Sequence, residues 1–291
     1  MKVYYPFYYN DFKCIADKCR HSCCIGWEIS VDESTLKKYE DLCNEDILPH
    51  IDDGVIKLCN DGRCPFLCDD GLCRIISRFG EDYTSVICRE HPRFYHRTGD
   101  RIEGGIGASC EEACRLILSS DFYGDFVLKE REVSLSWETD FDAISHREYI
   151  YSVLSDGELS YNEKIELIKE KYSIPEIYTD GEWSDIFDQL EYLAEDHRGI
   201  FTLGGMGEFF DIYCRFLAYL IFRHLSVAEN YENLRARLGF CLLVTRLLES
   251  FTVKNVDFNE ICDFARIISE EIEYSEDNTD QLIFEFEANL D

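Results

Sequence analysis

The sequence has few basic residues for its length. Its 291 residues include 29 Lys and Arg against 59 Asp and Glu, which gives a formal net charge of −30. Nucleic-acid binding by phosphate neutralisation needs clustered Lys and Arg, so we expect no nucleic-acid partner. An anionic membrane surface would also repel the chain. The charge favours solubility, and it would also steer a cationic, lysine-bearing protein substrate.

A long apolar run and an export signal are also missing. The apolar stretch from Phe216 to Phe222 stops at Arg223 and is far shorter than the roughly 18 residues that span a bilayer. The first residues, MKVYYPFYYNDFKC, lack a basic region followed by an apolar core and a cleavage site. We therefore expect a cytoplasmic protein with no membrane partner.

Cysteine, in contrast, is abundant, with 15 residues in the chain. Twelve of them lie between Cys14 and Cys114, whereas Cys214, Cys241 and Cys262 lie in apolar helical patterns and are predicted to fill the core. Disulfides are disfavoured, because the total is odd, no export signal is visible and the cytosol keeps thiols reduced. The dense region therefore predicts a metal site.

Ten of these cysteines fall into closely spaced groups. The first group has the spacing C-x4-C-x3-C-C, the second has C-x3-C-x4-C, and a single cysteine and a final pair follow. Short spacings let two or three sulfurs reach one centre from a single loop. The predicted metal ligands are Cys14, Cys19, Cys23, Cys24, Cys64, Cys68, Cys73, Cys88, Cys110 and Cys114. Cys43 and Cys59 fall outside the pattern.

The spacing leaves the metal open. Thiolates bind Zn²⁺ as readily as iron, but an iron–sulfur cluster commonly uses four thiolates, and ten candidates could supply more than one centre. The neighbours Cys23 and Cys24 point in different directions, so the first four cysteines do not easily share one tetrahedral centre. His21 and His91 lie beside the cysteine groups and are weaker candidates for ligands.

Three segments carry a resemblance to a known family. They are FKCIADKCRHSCCIGWEI, CPFLCDDGLCRIISRFGEDYTSVICREHPR and EGGIGASCEEACRLIL. The order and spacing of the ten cysteines, Cys-Cys-x-x-Trp ending at Trp27 and Cys-x-x-x-Pro-Arg ending at Arg93 resemble the flagellin lysine-N-methylase family. The cysteine groups also resemble a broader set of zinc- or iron-chelating proteins with CxxCxxCC-type motifs.

The methylase resemblance implies an enzyme, a protein-lysine N-methyltransferase. It implies a [4Fe–4S] cluster, S-adenosylmethionine as the methyl donor and flagellin as the protein partner. The alternative is a non-enzymatic protein that chelates zinc or iron for a structural role. The catalytic and donor-binding residues are not assigned, because the C-x3-C-x2-C loop of radical enzymes is absent and Gly104–Gly107 and Gly204–Gly207 both resemble turns.

The remaining pattern predicts an α+β fold that is predominantly helical. A cysteine-rich part with short strands covers residues 1–125, and an all-helical part covers 126–291. In the first part Trp27–Val31 alternates like a strand, Asp32 is a candidate N-cap for a helix to about Leu42, and Thr98–Asp100 marks a turn. In the second part, apolar residues recur at helical spacing over Glu208–Leu225 and Leu234–Phe251.

Four tyrosines precede the first cysteine group. Tyr4, Tyr5, Tyr8 and Tyr9 could line a channel for lysine, but amphipathic aromatic residues more often fill cores. We therefore expect them to pack against the cysteine-rich part.

Overall fold

The computed structural model of the chain describes residues 1–42 and 46–290. It divides into two compact units. The helical unit comprises Met1–Phe12, Arg93–Ser109 and Ala113–Asp291, and the cysteine unit comprises Lys13–Pro92 and Cys110–Glu112. Cys43 lies outside the described residues.

The secondary structure combines short strands with longer helices. The strands are β1 Lys2–Pro6, β2 Ile29–Ser30, β3 Ile51–Asp52, β4 Val55–Ile56, β5 Arg93–Thr98, β6 Arg101–Ile106, β7 Phe126–Glu130 and β8 Trp137–Thr139. The helices are α1 Glu33–Asp41, α2 Arg74–Phe79, α3 Val86–Glu90, α4 Glu111–Leu118, α5 Ala143–Leu154, α6 Tyr161–Tyr172, α7 Asp180–Phe187, α8 Phe210–His224, α9 Tyr231–Phe251, α10 Phe258–Ile268 and α11 Glu276–Glu287. The predicted α+β class, predominantly helical, is confirmed.

The sheet of the helical unit has the strand order β7-β1-β6-β5-β8. Strand β1 pairs in parallel with β6, with Val3 opposite Ile102, and antiparallel with β7. Strands β5 and β6 form an antiparallel hairpin whose turn contains Gly99 at φ +56°. The predicted turn at Thr98–Asp100 is therefore confirmed.

Gly104 and Gly105 correct a prediction, because they lie inside strand β6 and do not form a turn. A Cβ on Gly104 would stand 2.7 Å from the Tyr5 ring, and one on Gly105 would stand 2.4 Å from the Phe94 ring. These glycines let aromatic rings pack directly on the strand backbone, which is a known use of glycine within strands.

Helices α8 and α9 confirm the two helical patterns and form much of the core. Phe216, Leu220 and Leu238 are fully buried, and so are most apolar residues on these helices. Cys214, Cys241 and Cys262 are buried too, as predicted for core cysteines. Among the described residues, no helix is both long and apolar enough to cross a membrane.

Glu103 and Glu273 are two of the carboxylates that are buried in the helical unit within ion-pair networks. Glu103 on β6 binds both terminal nitrogens of Arg147 at 2.6 Å and Nε2 of His96 at 3.0 Å. Glu273 contacts His224 Nε2 at 2.7 Å and accepts a hydrogen bond from the Tyr219 hydroxyl at 3.0 Å. Burial would raise the pKa of both carboxyls, but Arg147 and Arg223 respectively outweigh it, and the pKa of Glu273 falls to about 2.

The prediction of an all-helical part from residue 126 needs one correction, because β7 and β8 lie within it. The observed division of the chain also differs from the predicted boundary at residue 125. Strand β1 pairs with β6 and β7, so the first twelve residues belong to the helical unit. Such pairings join distant segments and leave no local pattern in the sequence.

The tyrosines of β1 and the following turn lie in the helical unit, mostly buried. Tyr5 and Tyr8 are 0% and 2% exposed, and Tyr5 stacks on Tyr9 with ring centroids 4.0 Å apart. Tyr8 meets Phe122 edge-on at 5.7 Å. These residues fill the core of their own unit.

The cysteine unit has a three-stranded sheet of order β2-β4-β3 and a small core. Asp32 begins helix α1 by accepting a hydrogen bond from the Thr35 amide at 3.0 Å, which confirms the predicted N-cap. The same carboxylate accepts a hydrogen bond from the Val86 amide at 3.0 Å and so joins the starts of α1 and α3. The core of the unit contains Ile29, Val31, Tyr39, Ile47, Ile56, Cys64, Phe66 and Ile75.

Candidate metal centre and cavity

Eight of the thiols that the structure describes in the cysteine unit fall into two sets. The strands of this unit are only two residues long. Most of these residues are therefore held by the backbone hydrogen bonds of tight turns. We describe the sets as the first thiol group, Cys14, Cys19, Cys23 and Cys110, and the second thiol group, Cys24, Cys64, Cys73 and Cys88.

The first thiol group is organised around Glu111, the residue that follows Cys110. Glu111 accepts hydrogen bonds from the backbone amides of Arg20 at 2.8 Å and His21 at 3.3 Å, and it pairs with the Arg20 side chain at 3.1 Å. Its Oε2 lies 3.7 Å from Cys19 Sγ. This clamp holds the Cys19–Cys23 loop beside the start of α4, where Cys110 lies.

Electrostatic coupling among these thiols supports the grouping. Burial raises the pKa of the Cys19 thiol to about 11, and the charges of Glu111, Cys110 and Cys14 raise it further. The Cys23 thiol has a raised pKa, chiefly because it donates a hydrogen bond to Cys24, and Cys110 and Cys14 again contribute. The thiols of the first group therefore act on one another electrostatically.

The second thiol group lies against the core of the cysteine unit. The Cys64 amide donates to the Cys24 carbonyl at 2.8 Å, next to a β-bridge between Ile25 and Arg63. A second β-bridge pairs Leu67 with Cys73, just before α2. Cys64 is buried in the core, and Cys24 and Cys73 pack against it. These contacts bring three of the four residues together without any long strand.

Cys88, on α3, completes this group. Burial raises the pKa of the Cys64 thiol to about 12, and Cys24, Cys73 and Cys88 act on it in the same direction. Desolvation also raises the pKa of Cys88, with Cys24 and Cys73 among its charged neighbours. Burial raises the pKa of the Tyr39 phenol, and the charges of Cys88, Cys73 and Cys64 raise it further. The four thiols thus share one neighbourhood.

Cys23 and Cys24 lie where the two groups meet. The hydrogen bond from Cys23 lowers the pKa of Cys24 to about 7, although burial opposes this. A thiol with such a pKa is substantially thiolate near neutral pH, and the thiolate is the form that binds metal.

The remaining predicted ligands are Cys68, which lies near the second thiol group, and Cys114, which belongs to the helical unit. Cys68 is half-buried. Burial raises the pKa of the Cys73 thiol, and the charge of Cys68 is among the causes that raise it further. Cys114 is fully buried in the helical unit, and its thiol donates to the Cys262 carbonyl at 3.4 Å. Cys59 is exposed. The backbone of His21 contacts the first thiol group, because its carbonyl accepts a hydrogen bond from the Cys19 thiol at 3.3 Å and its amide donates to Glu111; the His91 ring lies 6.2 Å from the Trp27 ring.

Thiolate side chains suit both an iron–sulfur cluster and a tetrahedral zinc ion. Four thiolates about 2.3 Å from one Zn²⁺ stand roughly 3.8 Å apart. Over residues 1–42 and 46–290, no three thiols have all their sulfurs within 4.8 Å of one another. In a cluster each thiolate binds its own iron, so a wider spacing is suitable.

A tighter set of metal-capable side chains occurs in the helical unit, at His197, Glu270 and Glu271. Glu271 is 1% exposed and accepts hydrogen bonds from the Leu193 amide at 2.7 Å and from the Ala194 amide at 3.3 Å. His197 Nδ1 lies 2.5 Å from the same carboxylate, and Glu270 pairs with Arg266. These carboxylates are occupied in anchoring the 193–197 segment.

The helical unit also contains a cavity of about 440 Å³. Helices α6, α7, α9 and α11 and the loop at Gly204–Met206 line it. Aromatic walls come from Tyr161, Trp183 and Phe286, positive charge from Lys169 and Arg246, and negative charge from Glu249. Its volume is in the range of sites for small organic ligands.

Glu249 is the distinctive group of this cavity. It is partly buried and accepts a hydrogen bond from the Tyr161 hydroxyl, and burial raises the pKa of its carboxyl. Arg246 pairs with Asp180 at 2.6 Å, and Lys169 pairs with Glu166 at 3.5 Å and with Glu176. The sequence pattern of α6 and α9 predicts only helices, and no local motif identifies these residues as cavity residues.

Comparison with curated proteins finds similarity over part of the chain. A segment is 29% identical over 127 residues to the lysine-N-methylases of Salmonella typhimurium and Salmonella choleraesuis, covering 39% of this chain and 32% of each relative. The chain resembles lysine-N-methylases. It matches about a third of the length of these relatives.

A shorter relative shows the same similarity. The flagellar biosynthetic protein FliU of Salmonella muenchen is 28% identical over 127 residues, which cover 39% of this chain and 75% of that protein. No model of a known protein family matches the chain, and no solved structure matches it.

Proposed function

We propose that this chain acts in a protein-lysine N-methyltransferase that transfers methyl groups from S-adenosylmethionine to lysine ε-amines of flagellin. The similarity to the Salmonella lysine-N-methylases is the single observation that carries the proposal. The FliU relative, a flagellar biosynthetic protein by name, supports flagellin as the substrate. The net charge of −30 is suited to attracting a lysine-bearing partner.

The chemistry sets clear demands on the protein. A neutral lysine amine attacks the methyl carbon of the sulfonium, the carbon–sulfur bond breaks, and S-adenosylhomocysteine leaves with the electron pair. The methylated nitrogen is then positively charged and can lose its proton to solvent or a base. Because a protonated lysine has no free electron pair, the site must first remove its proton or lower its pKa by desolvation.

The cavity of the helical unit is our proposed donor site. S-adenosylmethionine carries a sulfonium cation, a carboxylate and an aromatic base. Glu249 and Tyr161 suit the cation, Lys169 and Arg246 suit the carboxylate, and the Trp183 ring suits the base. Charges of both signs and aromatic walls in one cavity support a small-molecule enzyme over a purely structural metal protein.

The cysteine unit is the proposed holder of an iron–sulfur cluster. The first and second thiol groups supply the ligands, with the Glu111 clamp and the core around Phe66 fixing their loops. When bound, a cluster would cross-link the turns of a unit with little core of its own and would supply electron-transfer chemistry. The residues of the unit bind and orient this group.

A second candidate function is structural metal binding without catalysis. The specific observation in its favour is the small core of the cysteine unit, eight buried residues supported by two-residue strands. Small units of this kind commonly depend on a metal to fold. This reading explains the thiols but gives no role to the cavity.

The test is methylation of flagellin. The chain, purified anaerobically with its metal, is incubated with the flagellin of its own source organism and S-adenosylmethionine, and lysine methylation is read by mass spectrometry. We expect methylated lysines that disappear when the donor is omitted. Unmodified lysines with metal-replete protein and the correct flagellin would contradict the proposal and favour the structural function.

A further inference from the structure

We propose that the cysteine unit holds two separate metal centres, one bound by Cys14, Cys19, Cys23 and Cys110 and the other by Cys24, Cys64, Cys73 and Cys88. The inference rests on the metal-binding part of the proposed function. It goes beyond that function by stating how many metal centres there are and which cysteines bind each one. Cys23 and Cys24 are neighbours in the chain, yet each belongs to a different centre.

The backbone around these two neighbours is anchored in two directions. On one side, Glu111 holds the amides of Arg20 and His21, which ties the loop before Cys23 to the segment of Cys110. On the other side, the Cys24 carbonyl accepts the Cys64 amide, and the Gly26 amide donates to the Gly62 carbonyl at 2.9 Å. The chain therefore passes from one anchoring segment to the other at the Cys23–Cys24 peptide.

The two groups also differ in their surroundings. In the second group, Cys64 is part of the apolar core and Cys24 and Cys73 pack against it. In the first group, Cys14 and Cys23 are exposed, and Cys19 contacts a carboxylate and the His21 carbonyl at 3.3 Å. Cys88 of the second group is exposed, as Cys14 and Cys23 are, so the second centre would differ from the first by its contact with the apolar core and not by being closed to solvent.

A single four-ligand centre would leave half of these thiols without a purpose. Four thiolates saturate one [4Fe–4S] cluster or one tetrahedral zinc. The eight thiols divide into two sets of four, because Glu111 ties the Cys19 loop to the Cys110 segment and the Cys64 amide binds the Cys24 carbonyl, and within each set the thiols raise one another's pKa. The contact between Cys23 and Cys24 is the exception, and it is the contact expected of adjacent residues serving adjacent centres.

The decisive experiment counts metal. The full chain is purified anaerobically, and iron, zinc and acid-labile sulfide are measured per chain. Two [4Fe–4S] clusters give about eight irons and one gives about four. Two centres of mixed type, a cluster and a zinc ion, would also support the inference. Metal for a single centre in a fully loaded protein would overturn it.

Single-cysteine variants assign the ligands. Cys19→Ala should lose the metal of the first centre only, so that about half the metal remains. Cys110→Ala should have the same effect, although Cys110 lies far from Cys19 in the sequence. Cys59→Ala is the matched control, because this exposed thiol belongs to neither group. Loss of all metal from a Cys19→Ala protein that keeps its circular dichroism would contradict the assignment.

The neighbouring variants Cys23→Ala and Cys24→Ala sharpen the result. Cys23→Ala should lose the metal of the first centre and Cys24→Ala that of the second. The two variants should therefore keep different absorption or electron paramagnetic resonance signals. Identical remaining signals would overturn the inference. These readouts do not use methylation, so one centre in an active methylase would refute this inference alone, whereas two centres without methylation would refute only the proposed activity.

Discussion

The helical unit and the cysteine unit are stabilised by opposite means. The helical unit buries long apolar faces of α8 and α9 and satisfies its buried charges with Arg147 and Arg223. Among its described residues, the cysteine unit buries eight in its core, one of them a cysteine, and it holds its turns with isolated backbone bonds. Domains with large cores commonly fold on their own, whereas small units rich in thiols commonly depend on a metal to fold.

Removing the metal should change the stability of the cysteine unit more than any other experiment described below. Structural metal sites contribute apparent binding energies on the order of 10 kcal/mol or more to folding. After anaerobic chelation, hydrogen–deuterium exchange should show lost protection at residues 13–42 and 46–92 and unchanged protection in α8 and α9. Equal protection of the cysteine unit with and without metal would show that its core suffices.

Breaking a buried charge pair should affect the other unit. Glu103→Gln leaves Arg147, which is 1% exposed, without its charged partner, so the free energy of unfolding should fall by about 3–5 kcal/mol. The control is Glu138→Gln, an exposed partner of Arg97 whose loss should cost less than about 1 kcal/mol. Denaturant unfolding measures both, and the metal content should stay unchanged in each variant.

Acid should destabilise the helical unit through Glu273. Its pKa falls from an ordinary 4.5 to about 2 in the folded chain, so its contribution to stability is present above pH 4.5 and is lost as the pH falls from there toward 2. Thermal unfolding across this range should show declining stability. Glu273→Gln should be less stable at neutral pH and show a flatter decline on acidification.

The smallest expected effect concerns the cavity. Glu249→Gln should weaken binding of S-adenosylmethionine about tenfold, or roughly 1.4 kcal/mol, because the sulfonium loses a facing carboxylate. Binding of S-adenosylhomocysteine, whose sulfur is neutral, should change little. Glu170→Gln, an exposed residue of α6 outside the cavity, is the matched control. Calorimetric titration distinguishes these cases, and equal weakening for both ligands would contradict a sulfonium contact.

Much of the local structure follows from the sequence. The Asp32 cap, the Gly99 turn and helices α8 and α9 each depend on residues close together in the chain, and each is confirmed. The role of Gly104 and Gly105 does not follow, because the aromatic rings that press on them come from β1 and β5. Pairing of β1 with β6 and β7 is equally non-local.

The candidate site, like the fold, follows only in part from the sequence. Spacing predicts that the cysteines bind metal. Which thiols act together depends on Cys110, which lies far along the sequence and is tied to the Cys19 loop through Glu111. The only local signal for that clamp is a carboxylate directly after a grouped cysteine. The cavity residues come from four helices and leave no motif.

The central claim is that the cysteine unit carries thiolate-bound iron–sulfur chemistry. Iron, zinc and acid-labile sulfide measured on the anaerobically purified wild-type chain test it most directly. The account predicts iron and sulfide in equal amounts, with visible absorption that bleaches on oxidation. Stoichiometric zinc without sulfide would contradict it.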